Sequence, residues 1–272
     1  MAAVRLIAIA GFVVLITLLE QTKPMEARRV KVVHIGPRVR KLVKKVDELK
    51  KEIASREQCE PCQSIKEEGF LFPASSTTAD YIDAGRLSEP LDSFTSCMWI
   101  KFEREIPYGA CIFSTGDLLN MQFGMYMYSG YLHFVASKIP RSLEDKPKYF
   151  FYDKWIHFCA TGKTKEREPL KLYVNGTLEL TDSSLKTATI DTNEANLVFG
   201  QCYLPGHTGF FDSKFTFVGK MAGFSVWDYA MSDQDISELF KSCAAGEGNV
   251  MSMADFQGSG KVQKIQGPCQ SK

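Results

Sequence analysis

The sequence predicts an all-β fold, a sandwich of two antiparallel sheets with one short helix, preceded by a short coiled-coil helix. From Gly69 onward the chain consists of short segments rich in aromatic and β-branched residues, bounded by glycine, proline, asparagine and aspartate. These segments do not alternate with helical ones, as the strands of a parallel sheet would. The residues before Gly69 carry a helical heptad pattern instead. A content of 44% hydrophobic residues is enough to build a sizeable core.

Residues 1–27 are predicted to be a secretory signal peptide. An arginine precedes an almost wholly apolar run from Leu6 to Leu19, which is shorter than the roughly 20 residues that a membrane-spanning helix needs. No A-x-A cleavage box follows the run, so we expect cleavage between Gln21 and Ala27. The mature protein is therefore expected to be secreted and extracellular, the alternative being an uncleaved membrane anchor.

Residues 28–58 combine a basic surface with an apolar stripe, which predicts a coiled coil that makes the protein a homo-oligomer. The stripe alternates spacings of three and four residues, and its members are Val39, Leu42, Val46, Leu49 and Ile53. The alternative is a single amphipathic helix that lies on the following domain. The arginines and lysines from Arg28 to Lys51 either bind heparan sulfate by charge or form the solvated surface of the coil. The rest of the chain is close to neutral, so no binding to nucleic acid is expected.

Residues 59–68 form a linker that contains two cysteines. The chain has eight cysteines, and an even number in a secreted protein implies disulfides. Cys59 and Cys62 follow the predicted helix in "CEPC", where interchain disulfides would lock paired chains together, the alternative being a local intrachain bridge. The C-x-x-C motif of thioredoxin-like oxidoreductases needs a preceding strand and a following helix, and this context does not favour redox catalysis.

The β domain, residues 69–272, contains one hairpin and one helix with clear signals. Asn175-Gly176 joins "LKLYV" to "TLEL" and is a strong signal for a type I′ turn. Asn175 also begins an Asn-Gly-Thr glycosylation sequon, although the hairpin alone explains the asparagine. Ser232 is the predicted N-cap of a helix over "SDQDISELFKS", whose first turn is acidic.

The order of motifs in this domain resembles the pentraxin family of secreted, lectin-like proteins. The opening "FLFP", the segments "FTSCMWIKF" and "HFCATG", and the closing "GKMAGFSVWDYAMSDQDI" follow the family's order over about residues 69–255. A laminin-G-like sandwich is a looser match that explains the cysteines less well. The resemblance implies a two-sheet jelly-roll sandwich, and the basic heptad segment before it is similar to the arrangement in long pentraxins.

In the resembled fold Cys97 pairs with Cys159 inside the sandwich, and closing a loop of that length contributes roughly 4 kcal/mol to stability. His157 is then a packed strand residue, and neither a partner of a catalytic cysteine nor a zinc ligand. The chain also lacks the sequence motifs of α/β-hydrolases, P-loop proteins and zinc proteases. We therefore expect a binding protein that is not an enzyme.

Pentraxins bind ligands through a paired calcium site, and calcium takes six to eight oxygen ligands. In this chain the family's Gly-Gln pair is followed by Cys202, so the acidic loop of the family is missing. The remaining matches to the family's calcium ligands are Asp117, Asn120, Gln201 and Asp212, and the alternative is that the aspartates and the asparagine are turn residues. We expect no cofactor, with calcium as a residual candidate at these positions.

The missing acidic loop leads to a second disulfide prediction. Cys111 and Cys202 lie on segments that converge on the metal site in the resembled fold. We therefore predict a Cys111–Cys202 disulfide that replaces the metal ion in holding these two segments together. Cys243 and Cys269 would then form a further disulfide that holds the C-terminal segment after the helix. Aromatic side chains near the same loop either pack inward or form an apolar ligand patch, namely Tyr203, Phe210, Phe211 and Phe215.

The residues and the resemblance together predict a secreted oligomer that binds an extracellular glycan, phospholipid headgroup or protein surface. Linking several weak sites raises the overall avidity by roughly 100-fold or more. The alternative is a structural or adhesive matrix protein without small-ligand or calcium binding, and the missing acidic loop favours this alternative.

Overall fold

The computed structural model describes residues 7–9, 12–14, 68–103, 109–116, 119–147, 152–163, 168–183, 189–191, 195–203, 210–242 and 246–268. The chain divides into two units, residues 1–51 and residues 52–272. In the first unit, strand β1 (Ile7–Ile9) pairs with strand β2 (Phe12–Val14) in an antiparallel hairpin. The predicted coiled coil and the predicted interchain cysteines, Cys59 and Cys62, lie outside the described residues.

The second unit contains an eight-stranded antiparallel sheet. Its strands are β3 (Glu68–Phe72), β5 (Ser93–Phe102), β10 (Ile156–Lys163), β11 (Glu168–Val174), β12 (Thr177–Asp182), β14 (Gly219–Trp227), β15 (Met251–Ser252) and β16 (Gln263–Gln266). Their order is β12-β11-β10-β5-β14-β3-β16, and β15 pairs with β14 beyond the end of β3. The chain therefore returns repeatedly to this sheet from distant parts of the sequence.

A six-stranded sheet faces it. Its strands are β4 (Ile82–Asp83), β6 (Gly109–Thr115), β7 (Phe123–Tyr128), β8 (Tyr131–Ala136), β9 (Ile139–Pro147) and β13 (Leu197–Phe199). The order is β4-β13-β6-β7-β8-β9. In the described part of the second unit, two antiparallel sheets and one α-helix confirm the predicted all-β sandwich.

The core between the two sheets is rich in phenylalanine because alternate residues of each strand point inward. On β7, for example, Phe123, Met125 and Met127 join the core, whereas Gly124, Tyr126 and Tyr128 alternate with them. The fully buried phenylalanines pack mostly edge to face or tilted, which is the favoured geometry for aromatic rings. They include Phe70, Phe72, Phe94, Phe102, Phe113, Phe134, Phe158, Phe199 and Phe217.

The predicted type I′ turn is confirmed between β11 and β12. Asn175 and Gly176 have φ angles of 50° and 72°, in the left-handed region that such a turn requires. The Asn175 side chain also holds the neighbouring strand, because its Oδ1 accepts a hydrogen bond of 2.9 Å from the backbone N–H of His157. A Cβ atom on Gly176 would lie 3.0 Å from the Phe240 side chain, so the turn is closely packed.

Helix α1 (Asp233–Ser242) begins at the predicted N-cap. The Ser232 hydroxyl accepts from the Asp235 backbone N–H, and Asp235 Oδ2 accepts from the Ser232 backbone N–H. The helix lies on the outer face of the eight-stranded sheet, where Phe240 stacks near the ring of His157 at 5.9 Å. In the part of the chain that the structure describes, no helix is long and apolar enough to cross a membrane.

The predicted Cys97–Cys159 disulfide joins directly paired residues of β5 and β10. His157 lies beside it, with ring nitrogens 3.7 and 3.9 Å from Cys159 Sγ. Burial lowers the pKa of His157 to about 3, so its imidazole is neutral. The ring packs against those of Trp99 and Phe240, which also contact each other. Because both sulfur atoms are in the disulfide, neither is a thiolate that can act as a nucleophile or a metal ligand.

Candidate functional site

After β13, Cys202 is joined to Cys111 of β6 by the predicted disulfide, on the side of the six-stranded sheet that faces away from the main core. Around the disulfide, Met121, Val135 and Phe215 form a small apolar cluster separate from the main core. The close approach of Phe215 depends on Gly109, since a Cβ atom there would lie 2.7 Å from the Phe215 ring. Cys243 and Cys269 lie outside the described residues, so their pairing stays a prediction.

Gln201, a predicted calcium ligand, is fully buried and its side-chain amide is occupied. Its Nε2 donates to the carbonyl oxygens of Thr77 (2.8 Å) and Asp80 (3.0 Å), and its Oε1 accepts from the Thr216 hydroxyl at 3.3 Å. The carbonyl oxygen of Gln201 also accepts from the Ser114 hydroxyl. Gln201 therefore connects the segment after β13 to the turn before β4.

Asp80 belongs to the same buried network. Its Oδ2 accepts from the Thr77 backbone N–H at 2.6 Å, and its Oδ1 accepts from the Lys261 backbone N–H. Burial alone would raise the pKa of Asp80, but the hydrogen bonds from Lys261 and Thr77 outweigh it and hold the pKa below its usual value. The charged carboxylate thus joins the turn before β4 to the turn before β16.

Among the described residues, the other predicted calcium ligands do not complete a cage. Asp212 caps the short 3-10 helix Ser213–Phe215, where its Oδ1 accepts from the Lys214 backbone N–H at 3.0 Å. Asn120 lies in an exposed turn, and Asp117 lies outside the described residues. Calcium needs six to eight oxygen atoms, so a set in which Gln201 is buried and hydrogen-bonded does not fit the ion.

A tyrosine-rich surface on the same sheet is the feature that the sequence reasoning missed. Tyr126 and His133 are cross-strand partners on β7 and β8, and their rings stack at 4.9 Å with an interplanar angle of 12°. The next pair, Tyr128 and Tyr131, is 37% exposed at each residue. We call these four residues the tyrosine platform. The alternation in "MYMYSGYLHF" is the signal that places all four on one face.

Burial favours the neutral forms of two platform residues, Tyr126 and His133. Burial raises the pKa of Tyr126 and lowers the pKa of His133, and for His133 the hydrogen bond to the Tyr128 carbonyl and the charge of Glu144 only partly oppose this. Phe215 extends the platform, with its ring 6.0 Å from that of Tyr128. Phe215 itself is 6% exposed and packs inward, whereas Phe210 is 67% exposed.

The two antiparallel sheets, with a helix on the outer face of one and a disulfide on the outer face of the other, define a jelly-roll domain. The Pentaxin family model matches residues 68–264, and the chain belongs to the pentraxin family. The match confirms the resemblance to pentraxins that the order of sequence motifs indicates.

Two curated relatives illustrate the similarity. The chain is 27% identical over 184 residues to the human Pentraxin-related protein PTX3, a match that covers 64% of this chain and 46% of that protein. It is 26% identical over 180 residues to rabbit C-reactive protein, covering 65% of this chain and 76% of that protein. The match thus spans about half the length of PTX3.

Among solved structures, a heptameric SAP-like pentraxin from Limulus polyphemus superposes with a TM-score of 0.58 at 21% identity. The match covers 76% of this chain and 98% of that one. A putative carbohydrate-binding protein from Bacteroides ovatus superposes with a TM-score of 0.55 at 16% identity, covering 75% of this chain and 61% of that one. At these identities the two structures establish a shared fold.

Proposed function

We propose that the chain is a secreted, oligomeric pentraxin that recognises extracellular glycans on the tyrosine platform without calcium. The observation that carries the proposal is the pair Tyr128 and Tyr131, two amphipathic rings that are each 37% exposed side by side on a rigid sheet. Tyrosine offers an apolar ring face to the C–H groups of a sugar and a hydroxyl to its oxygens. Phospholipid headgroups and protein surfaces are the competing ligands, and a matrix protein without small ligands is the competing function.

Binding without calcium is expected because the segment after β13, which contains Gln201 and Cys202, is held in place by the protein itself. A calcium ion in a binding loop ties its strands together only when the ion is present, whereas the Cys111–Cys202 disulfide ties them permanently. The buried amide of Gln201 adds hydrogen bonds that need no ion. The platform beside this segment is therefore preorganised in the protein alone.

A glycan array probed with and without a calcium chelator tests the proposal. We expect a defined set of glycans to bind equally in both conditions, and Tyr131→Ala to reduce binding by about tenfold, because a lost ring contact costs about 1.4 kcal/mol. Tyr229→Ala removes a tyrosine that is 48% exposed outside the platform and is the matched control. Binding that needs calcium, or that Tyr131→Ala leaves unchanged, would contradict the proposal.

Oligomerisation is proposed to reside in residues 28–62, where the heptad pattern and two cysteines precede the β domain. We expect the secreted protein to migrate as disulfide-linked dimers or larger species on a non-reducing gel and as a monomer after reduction. Replacing Cys59 and Cys62 by serine should remove these species and leave the β domain folded by circular dichroism. A wild-type monomer on the non-reducing gel would refute the covalent tether.

A further inference from the structure

Asn175-Gly176 is both an ordered turn and a chemically reactive dipeptide, which occurs once in the sequence. In an Asn-Gly sequence the backbone nitrogen of the glycine can attack the carboxamide carbon of the asparagine, because glycine has no Cβ atom to hinder the approach. The reaction proceeds only when the two groups meet. The local structure therefore decides whether Asn175 reacts.

The closed turn keeps the two reacting groups apart. Asn175 has a φ angle of 50°, and ψ of the first central residue is about +30° in a type I′ turn. At these angles the Gly176 nitrogen lies on nearly the opposite side of the Cα–C bond from the Asn175 Cβ atom, so it points away from the carboxamide. A bond forms only where the reacting atoms can approach to roughly 3 Å, and the closed turn does not allow this.

Hydrogen bonds to β10 fix Asn175 in this conformation. Its Oδ1 accepts from the His157 backbone N–H at 2.9 Å, and its backbone N–H donates to the His157 carbonyl oxygen at 2.8 Å. Helix α1 covers the next residue, since a Cβ atom on Gly176 would lie 3.0 Å from the Phe240 Cβ. Rotation of Asn175 into a reactive conformation therefore requires the turn to leave both β10 and Phe240.

The hairpin that carries the turn lies at an edge of the eight-stranded sheet, where β12 is the last strand. The register between β11 and β12 shifts between Leu172 and Tyr173, close to the turn. Two residue pairs, Tyr173–Leu178 and Val174–Thr177, separate the turn from this irregularity. Leu178 is 38% exposed. Edge segments with few pairs and exposed side chains are the parts of a fold that open locally without global unfolding.

We propose that Asn175 is a conditional site of deamidation, protected while the turn is closed and converted to aspartate or isoaspartate when the β11–β12 hairpin opens. The Gly176 nitrogen bonds to the Asn175 Cγ atom, and the bond from Cγ to the side-chain nitrogen breaks. That nitrogen takes up the proton lost by Gly176 and leaves as ammonia. Water then opens the resulting succinimide at either carbonyl group. The site is independent of the tyrosine platform and of the function proposed for it.

The isoaspartate product does not return to the closed turn. Its main chain runs through the former side chain and is one methylene longer, so a two-residue turn no longer joins β11 to β12 in register. The carboxamide that accepted from the His157 backbone N–H is consumed, and the packing of Gly176 on Phe240 is lost. Deamidation thus makes a reversible local opening permanent.

The test follows deamidation in the full-length Thr177→Ala protein, which lacks the sequon, so each Asn175 keeps a free carboxamide. Thr177 is exposed, and alanine at this position should leave the fold unchanged. The protein is incubated at mildly alkaline pH, either folded or unfolded in guanidinium chloride with its disulfides intact. Peptide mapping by mass spectrometry measures the product at Asn175, and an isoaspartyl methyltransferase assay identifies isoaspartate. We expect the folded protein to react at least about tenfold more slowly, because the turn is closed most of the time.

Two further variants in the Thr177→Ala background test whether the opening is local. Phe240→Ala removes the side chain that covers Gly176 and is expected to raise the folded-state rate about tenfold, because this contact stabilises the closed turn. Leu239→Ala is the matched control, because the neighbouring Leu239 packs on the cluster that contains Trp227 instead. Circular dichroism checks that both variants fold, and the comparison of folded with unfolded Thr177→Ala protein stands without them.

Three results would each overturn the inference. Equal rates in the folded and unfolded protein would show that the turn gives no protection. An unreactive Asn175 in the unfolded chain would show that this dipeptide is not a deamidation site. Equal rates in Phe240→Ala and Leu239→Ala would show that the contact between Phe240 and the turn does not control the reaction.

Discussion

Replacing Cys97 and Cys159 together by alanine is expected to lower the free energy of unfolding of the β domain by roughly 4 kcal/mol, because the disulfide closes a loop with a sequence separation of 62 residues. Both sulfur atoms are buried next to Tyr173, Trp227 and Ile236, so the smaller side chains also leave a cavity. Urea unfolding of the non-reduced protein, followed by tryptophan fluorescence, measures the loss.

Cys59→Ser with Cys62→Ser is the control for that experiment, since these cysteines precede the β domain and should not change its free energy of unfolding. A loss below about 1 kcal/mol in the Cys97/Cys159 variant would contradict the expected loop-closure contribution.

Replacing Asp80 by alanine is expected to cost about 2 kcal/mol, because it removes a buried carboxylate that accepts hydrogen bonds from the backbone N–H groups of Thr77 and Lys261. The control is Asp83→Ala, because Asp83 is exposed and its hydrogen bonds to Gly85 and Asn196 lie at the surface. A similar loss in both variants would show that the buried network contributes nothing specific.

The same carboxylate makes stability depend on pH. The pKa of Asp80 in the folded protein is below its ordinary value of 3.8, so the unfolded chain binds the proton more tightly than the folded one. The contribution of Asp80 is therefore complete above about pH 4 and is lost as the pH falls through the folded-state pKa. Thermal midpoints measured from pH 6 down to pH 3 should fall more steeply for the wild type than for Asp80→Ala.

Local sequence signals predicted the parts of the fold that depend on neighbouring residues. Asn175-Gly176 gave the turn and Ser232 gave the start of the helix, because both signals act within a few residues. Strand β9 was missed, because "IPRSLEDKP" contains two prolines and several charges. An edge strand tolerates both, since one side of it carries no ladder hydrogen bonds.

The candidate site was harder to predict because its contacts join distant segments. The two disulfides came from the family resemblance, and the structure forms both. Gln201 looked like a metal ligand, yet its amide bonds to groups 121 and 124 residues away, which no local pattern reveals. The alternation of residue types along the β7–β8 hairpin indicated the tyrosine platform. Only the structure shows that these side chains lie on the face of the sheet that is turned away from the core.

The hydrogen bond between Asn175 Oδ1 and the His157 backbone N–H has a consequence for biosynthesis. Once strands β10 and β11 have paired, the carboxamide of the sequon is held against the sheet, and Gly176 is packed on Phe240. A glycosyltransferase needs this carboxamide in an extended, accessible chain. Sugar attachment at Asn175 would therefore compete in time with hairpin closure, and a slower-folding chain would emerge from the secretory pathway with more carbohydrate at this position.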